Sequence, residues 1–458
     1  MNSCYSLVLQ ISKKTLTRSL LPSSYLPLTT CKGRNFHTTA LQFNSNMAEN
    51  YFQEVGAFNN ISTALTVGAP GPDLLIHSNE VLKKATTHRL SQPDACQLLQ
   101  YGLTRGDGKF PVEVAKFLSR HYGDPVSSED IHANAGATQG AVALAGLLLK
   151  SGDFVFVEEP TYFLALSMLR EDMHLNIVPI PTDNEGIQID TLEESLKIHK
   201  AKSNHVVSEA QPFWSIIYLI PTFNNPKGFC VSPERSKQIV SVARKYGCLV
   251  LCDDVYNVLS YRSDDPDKFV PAPKRLFAYD DKSDPDYQGN VISNATFSKF
   301  FGPGLRLGWY EAPKRVLKIL YGSGYIQSGG GFNSYTCGIV TSALETGLLD
   351  EILVKFRRQF HLRRDAIYNA AKQYMPEGVK FNKPQGGYFM WVELPEHINA
   401  QDVLKISKQE HKIAFALGTK FSSTGRFQNY LRFSFSYYDE AALTEAMKAV
   451  AAIIKRLM

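Results

Sequence analysis

Four short apolar runs, each followed at once by a polar cluster, constrain this chain more than any other feature. They are Asp153-Phe-Val-Phe-Val157, Ser215-Ile-Ile-Tyr-Leu-Ile220, Cys248-Leu-Val-Leu-Cys252 and Val291-Ile-Ser-Asn-Ala-Thr-Phe297. Helical stretches such as residues 141–149 and 232–244 alternate with them. A continuous apolar strand is one buried on both faces, so the pattern predicts an α/β fold with a mostly parallel sheet covered by helices. In open sheets of this kind ligands bind beyond the carboxyl ends of the strands. The polar clusters that follow the runs are therefore the candidate site.

At 458 residues and 44% hydrophobic content, the chain can bury a large core and build more than one domain. No apolar run reaches the length of a transmembrane helix. The expected division is a mitochondrial transit peptide or disordered tail at 1–46, an N-terminal arm and part of the small domain at 47–94, a large domain at 95–345 and a smaller α+β domain at 346–458. The arm is expected to pack with the smaller domain. The segment 261–288, rich in Asp, Lys and Pro, reads as an exposed excursion with solvated acids, carrying at most a short helix.

The net charge of +5 misleads. Residues 1–46 hold Lys13, Lys14, Arg18, Lys32 and Arg34 and no acid, and without them 44 basic residues face 44 acidic ones. A neutral body gives no reason to expect nucleic-acid or membrane binding. The leader is also rich in Ser and Thr, the composition of a mitochondrial transit peptide. Met47 offers an internal start that would leave a cytoplasmic form. The seven cysteines are odd in number and dispersed, with neither zinc spacing nor a disulfide framework, which fits a reducing compartment.

Lys299 stands in Asn294-Ala-Thr-Phe-Ser-Lys-Phe-Phe-Gly-Pro-Gly-Leu-Arg-Leu-Gly-Trp309, between an apolar strand and a Pro-Gly turn, with Arg306 following. A lysine that condenses with an aldehyde needs poor solvation and a nearby cation to stay partly neutral. An arginine holds phosphate with a planar fork. Together they point to a cofactor bearing both groups, pyridoxal phosphate.

The run closely resembles the lysine signature of class I/II aminotransferases, Ser-x-Ser-Lys followed by Gly-Leu-Arg-x-Gly. The resemblance extends over residues 50–458, with the motifs in the family's order, and implies a fold type I, pyridoxal-phosphate-dependent transferase. It implies that Gly136, Ala137 and Thr138, in Asn134-Ala-Gly-Ala-Thr-Gln-Gly140, surround the phosphate together with Thr296, Ser298 and Arg306. Asp253 of Asp253-Asp254-Val255-Tyr256 would keep the pyridine nitrogen protonated, with Asp254 the competing choice. Tyr256 and Asn225, the latter in Pro221-Thr-Phe-Asn-Asn-Pro-Lys-Gly228, would contact the phenolic oxygen. Lys227 stands where the family has Thr. Tyr162 would stack on the ring. Tyr101 resembles a residue that reaches the phosphate of a neighbouring subunit, which implies a homodimer.

The resemblance also implies that Arg432, in Tyr430-Leu-Arg-Phe-Ser-Phe-Ser436, grips the substrate's α-carboxylate beside the backbone of Gly68. An arginine on so apolar a strand requires a partner. Where aspartate aminotransferases carry an arginine for the side-chain carboxylate, this chain has Gln327. The pattern is similar to the 2-aminoadipate and kynurenine aminotransferase group, with small-molecule amino acids and 2-oxo acids as substrates and 2-oxoglutarate the expected acceptor. Two rivals stay open. One is a lyase or synthase of the same fold, such as a C–S β-lyase or an aminocyclopropane-carboxylate synthase. The other is a non-catalytic regulator, for which residues 1–46 are too short and irregular to supply a helix-turn-helix domain.

Overall fold

The computed structural model describes residues 62–458, so the expected transit peptide and the alternative start at Met47 lie outside the described residues. The first strand, β1 (Thr63–Ala64), is short and is completed by a partner from far down the chain. The four apolar runs form the middle of a seven-stranded sheet made of β2 (Ile131–Asn134), β3 (Phe154–Glu159), β4 (Asn176–Pro181), β5 (Ser215–Leu219), β6 (Leu249–Asp253), β7 (Val291–Thr296) and β8 (Gly308–Glu311). Its order is β2-β8-β7-β6-β5-β3-β4. The strands β4, β3, β5, β6 and β7 run parallel, and β8 is antiparallel to both of its neighbours.

The strands are apolar throughout because alternate residues feed two separate cores. Val155, Val157, Ile216, Leu249 and Leu251 belong to one cluster, and Phe156, Ile217, Leu219, Val250 and Cys252 to the other. Each such side chain contributes roughly 1.5–3 kcal/mol when fully buried. Crossover helices, among them Ala137–Leu148, Ile189–Lys200 and Pro233–Tyr246, connect the strands. The last of these begins on Ser232, whose hydroxyl accepts from Arg235 N, and stops at Gly247, a left-handed residue with φ 68°.

The 27-residue helix Leu348–Tyr374 leads into a four-stranded antiparallel sheet built from β9 (Lys380–Phe381), β10 (Phe389–Glu393), β12 (Ala416–Leu417) and β13 (Tyr430–Ser434). The short β11 (Ile413–Ala414) pairs in parallel with β1. The terminal helix Glu440–Leu457, capped by Asp439, packs along Leu348–Tyr374. Backbone pairing joins Thr63 and Ala64 to Ile413 and Ala414. Ser434 N donates to Leu65 O at 2.8 Å, next to the β1–β11 pair.

Two expectations need correction. The acids of the 261–288 excursion are not all solvated: Asp280 is buried and accepts from Arg244 at 2.7 Å, and Asp284 and Asp286 close on the same guanidinium. That cluster ties the excursion to the helix Pro233–Tyr246. The helix after Asn134 starts at Ala137 and not near residue 141, because Gly136, at φ 94°, turns the chain sharply into it.

Candidate active site

Lys299 ends a short turn, Phe297–Lys299, that follows β7 directly. Thr296 starts the turn by accepting from Ser298 N at 3.1 Å. Two side-chain hydroxyls, those of Thr296 and Ser298, lie 2.8 Å apart and buried beside the lysine. Tyr388 donates from its phenol to the carbonyl of Lys299, which fixes the backbone. The amine is directed inward and donates to Gly68 O at 2.9 Å, with the rings of Tyr256 and Tyr388 about 6 Å away. Burial lowers its pKa to about 8; Asp253 opposes that shift, and Arg432 and Arg306 add to it. A substantial neutral fraction near pH 7 is what a nucleophilic lysine requires.

Asp253 is the last residue of β6, at the carboxyl edge of the sheet. Its Oδ2 accepts from Tyr218 Oη at 2.7 Å. Burial raises its carboxyl to about 6, and the Tyr218 hydrogen bond and the Lys299 ammonium pull the other way. Asp254 is equally shifted, to about 6, chiefly by burial. Its surroundings differ: Ser293, Asn257 and Arg275 act on it, and its backbone N–H bonds Asn294 O at 2.9 Å. Successive residues of a strand point to opposite faces. Of the two carboxylates, the one coupled to Lys299 is Asp253.

Gly136, at the start of the helix Ala137–Leu148, faces Arg306. A Cβ on Gly136 would lie 3.1 Å from Arg306 Nη2. Ala137 and Thr138 occupy the first turn of that helix, where backbone N–H groups have no intrahelical acceptor. Arg306 has φ 46° and is held by its own bond to Pro303 O at 3.0 Å. Asn333 donates to the carbonyls of Leu305 and Arg306 at 2.9 and 2.8 Å.

Arg432 on β13 is 1% exposed. Its Nη1 donates to Asn225 Oδ1 at 2.9 Å and its Nη2 to Thr66 O at 2.5 Å, with the Phe389 ring 3.9 Å from Cζ. The segment 66–68 therefore offers one carbonyl to Arg432 and another to Lys299. Gly68 is required there, since a Cβ would meet Phe389 Cζ at 2.7 Å.

The remaining expected residues do not all gather at this centre. Tyr256 is buried and its ring lies 5.4 Å from Tyr388. Tyr162 is half-buried at the start of the short helix Phe163–Ser167. Tyr101 lies outside the site of its own chain, 79% exposed. Its neighbour Gly102 packs against the 329–334 loop, where a Cβ on Gly330 would come 2.1 Å from Gly102 O. Gln327 is exposed and donates to Tyr321 O at 2.6 Å. Lys227 is more than a turn residue, since its Nζ bonds Thr182 O, Thr182 Oγ1 and Asp183 O at 3.1–3.4 Å.

Sequence reasoning passed over several supports. Tyr218 was legible only as one more apolar strand residue. Asn134 and Asn294 are joined at 3.0 Å, and they hold the backbone at Gly136 N and Ala137 O. Glu158, last but one on β3, is wholly buried. A polar side chain inside an otherwise apolar strand was the one available signal for Tyr218 and Asn294.

These groups fit pyridoxal phosphate. Gly136, Arg306, Thr296 and Ser298 form a donor set for a phosphate, with no Cβ at Gly136 to obstruct it. Asp253, displaced upward by burial, would be held ionised by a protonated ring nitrogen beside it. Lys299 supplies the amine for an aldehyde.

Comparison with known proteins agrees with this geometry. A family model described as aminotransferase class I and II matches residues 65–450. The chain is 32% identical over 399 residues to aromatic-amino-acid aminotransferase 1 of Thermococcus litoralis, covering 86% of this chain and 88% of that one. Its fold is similar to that of the Pyrococcus horikoshii kynurenine aminotransferase solved with PMP, kynurenine and kynurenic acid. That match has a TM-score of 0.75 and 29% identity over 93% of this chain and 98% of the other. It is also similar to the α-aminoadipate aminotransferase of Thermus thermophilus, complexed with a phosphopyridoxyl-leucine, with a TM-score of 0.71 and 25% identity over 89% and 94% of the two chains.

Proposed function

Because this chain belongs to the class I and II aminotransferases, we propose that it moves an amino group from 2-aminoadipate or an aromatic amino acid to a 2-oxo acid such as 2-oxoglutarate. It is a pyridoxal-phosphate-dependent transaminase. The observation that carries the reading is the convergence of the Lys299 amine and the Arg432 guanidinium on one short segment, at Gly68 O and Thr66 O. The donor preference is supported by the names of its relatives and by Gln327, which leaves no cation at the position where an aspartate-specific enzyme carries one.

When bound, the cofactor supplies an aldehyde and an electron-accepting ring that stabilises negative charge at the substrate's Cα. The residues of this chain do the rest. Arg432 binds the α-carboxylate and sets the orientation of Cα. Lys299 would hold the cofactor's aldehyde, and its neutral Nζ is the base available to take the proton from the substrate's Cα. Asp253, steadied by Tyr218, holds its negative charge where a ring nitrogen needs it. Tyr256 and Asn225 would contact the phenolic oxygen, and Tyr162 would stack on the ring. Gly136, Ala137, Thr138, Thr296, Ser298 and Arg306 would hold the phosphate.

The partner we propose is a second copy of this chain. The exposed Leu99 (83%) and Tyr101 (79%), on a segment packed against the loop that steadies Arg306, support a homodimer in which Tyr101 reaches the neighbour's phosphate. We also propose that residues 1–46 direct the chain to the mitochondrial matrix, supported by their acid-free basic composition; fused to a reporter, they should carry it there, and a cytoplasmic reporter would refute this.

A donor and acceptor panel with the purified protein tests the proposed activity. Conversion of the donor to its 2-oxo acid with matching amination of 2-oxoglutarate is expected. Ammonia release without amination would favour the lyase reading instead.

A further inference from the structure

Asn225 meets Arg432, but nothing in Asn225 itself explains why the turn around it holds still. The turn 221–228 leaves β5 and is tied at its far end by Lys227 Nζ to Thr182 and Asp183, but the residues that lead into Asn225 need a hold of their own. Glu158 supplies that anchor. It is wholly buried at the end of β3, next to β5 in the sheet. Its Oε2 accepts from Ile220 N at 2.8 Å and from Asn224 Nδ2 at 2.9 Å. One bond holds the point where the turn begins, and the other holds the residue immediately before Asn225. Asn224 Oδ1 in turn accepts from Lys227 N at 3.1 Å, and Gly228 N donates to Asn224 O at 2.7 Å, so the turn closes on the residue that Glu158 grips.

We propose that Glu158 is a positioning residue for this site, holding through Ile220 and Asn224 the turn that aims Asn225 Oδ1 at Arg432. The inference rests on the amino-transfer reading above. The acceptor oxygen, and not the charge, does the holding. Burial pushes the Glu158 carboxyl up to about 8, against the pull of Ile220 N, Lys227 and Asn224, which favours its neutral form. Its Oε1 has no hydrogen-bond partner among the described residues, which leaves that oxygen as the place for the proton. Removing the carboxyl would leave Ile220 N buried without an acceptor and Asn224 Nδ2 with only its longer, 3.4 Å bond to Ile220 O. The turn would then relax and take Asn225 off Arg432.

The test uses the full, cofactor-loaded protein in three variants: Glu158→Ala, Glu158→Gln and Asn224→Ala. Binding of an α-methyl amino acid, which lacks the proton on Cα and does not react onward, is followed by visible absorbance, and each variant's melting midpoint is recorded. Glu158→Ala and Asn224→Ala should weaken the analogue by about tenfold, the scale of one or two lost buried hydrogen bonds. Both should raise KM more than they lower kcat. Glu158→Gln keeps an acceptor oxygen in place and should bind within about threefold of the parent.

A folded Glu158→Ala protein that binds the analogue like the parent, with only a lower melting midpoint, would mean that Glu158 merely stabilises the fold. Glu158→Gln as weak as Glu158→Ala would also overturn the proposal, because charge would then be the requirement. If Glu158→Ala does not fold, Asn224→Ala decides. A parent protein that neither binds the analogue nor transfers amino groups refutes the amino-transfer reading itself, whereas an active parent matched by its variants refutes the positioning role alone.

Discussion

Tyr218 donates its phenolic hydrogen to Asp253 Oδ2 at 2.7 Å, from a neighbouring strand of the same sheet. This bond gives the carboxylate a fixed orientation at the edge of β6 and offsets part of the cost of burying it. Asp254, one residue on, has no hydrogen-bond partner for either carboxylate oxygen among the described residues.

The pairing separates the two acids experimentally. Asp253→Asn is expected to keep some cofactor and lose turnover by about 10²-fold or more, as for other precisely placed charges. Tyr218→Phe removes one hydrogen bond to a charged group and should cost about tenfold. Steady-state kinetics decide the assignment: a crippled Asp254→Asn beside a near-normal Asp253→Asn would transfer the role to Asp254.

Lys299 gives a pH prediction. Its amine is lowered to about 8, chiefly by burial, so the neutral, nucleophilic fraction grows as pH rises and levels off above that value. The rate at which apoprotein takes up pyridoxal phosphate should therefore climb from about pH 6.5 and flatten near pH 8.5, well below the range of an ordinary lysine. Continued rise to about pH 10.5 would show the amine to be unperturbed. Lys299→Ala and Lys299→Arg should both be inactive, the latter because a guanidinium stays protonated.

Arg432 acts on the carboxylate common to all substrates. Arg432→Lys breaks the fork that meets Asn225 Oδ1 and Thr66 O, and it should lower kcat/KM by roughly ten- to a hundredfold, about 1.5–3 kcal/mol, for every donor alike. A loss confined to one donor would place Arg432 at the side-chain pocket instead.

Side-chain selection is predicted by what is missing. Gln327 is turned toward Tyr321 O and carries no charge, so aspartate should be a poorer donor than 2-aminoadipate or an aromatic amino acid. Comparing kcat/KM across the three checks this. Aspartate as the best donor would mean that another cation holds the distal carboxylate.

Glu158 links pH to stability. Its pKa is raised from 4.5 to about 8 in the folded chain, so the folded state holds this proton where the unfolded state has released it. The resulting stabilisation is complete below about pH 4.5 and is lost as pH rises toward 8. Glu158→Gln does not titrate, so the parent should lose stability relative to it across that window, by a few kcal/mol on the order implied by the shift. Urea unfolding of both proteins at about pH 5 and about pH 9 measures the difference; an unchanged gap would show that Glu158 titrates normally.

The strands were legible because a segment buried on both faces must be apolar throughout, a requirement that acts residue by residue. Lys299, Arg306, Asp253 and Arg432 stood out for the complementary reason that charge beside such strands is costly and calls for a purpose. The sequence by itself thus determined the parallel sheet and the strand ends at which these charged residues stand. Tertiary structure decided what depends on residues far apart in the chain. It separated Asp253 from Asp254 through Tyr218, set Lys299 on Gly68 O and Arg432 on Thr66 O, buried Asp280 against Arg244, and placed Glu158 beneath Asn224. Each of these is a hydrogen bond or ion pair closed over tens to hundreds of residues. Such contacts leave no local periodicity or turn signal, so they become visible only when the chain has folded and the burial of each polar group forces it to find a partner.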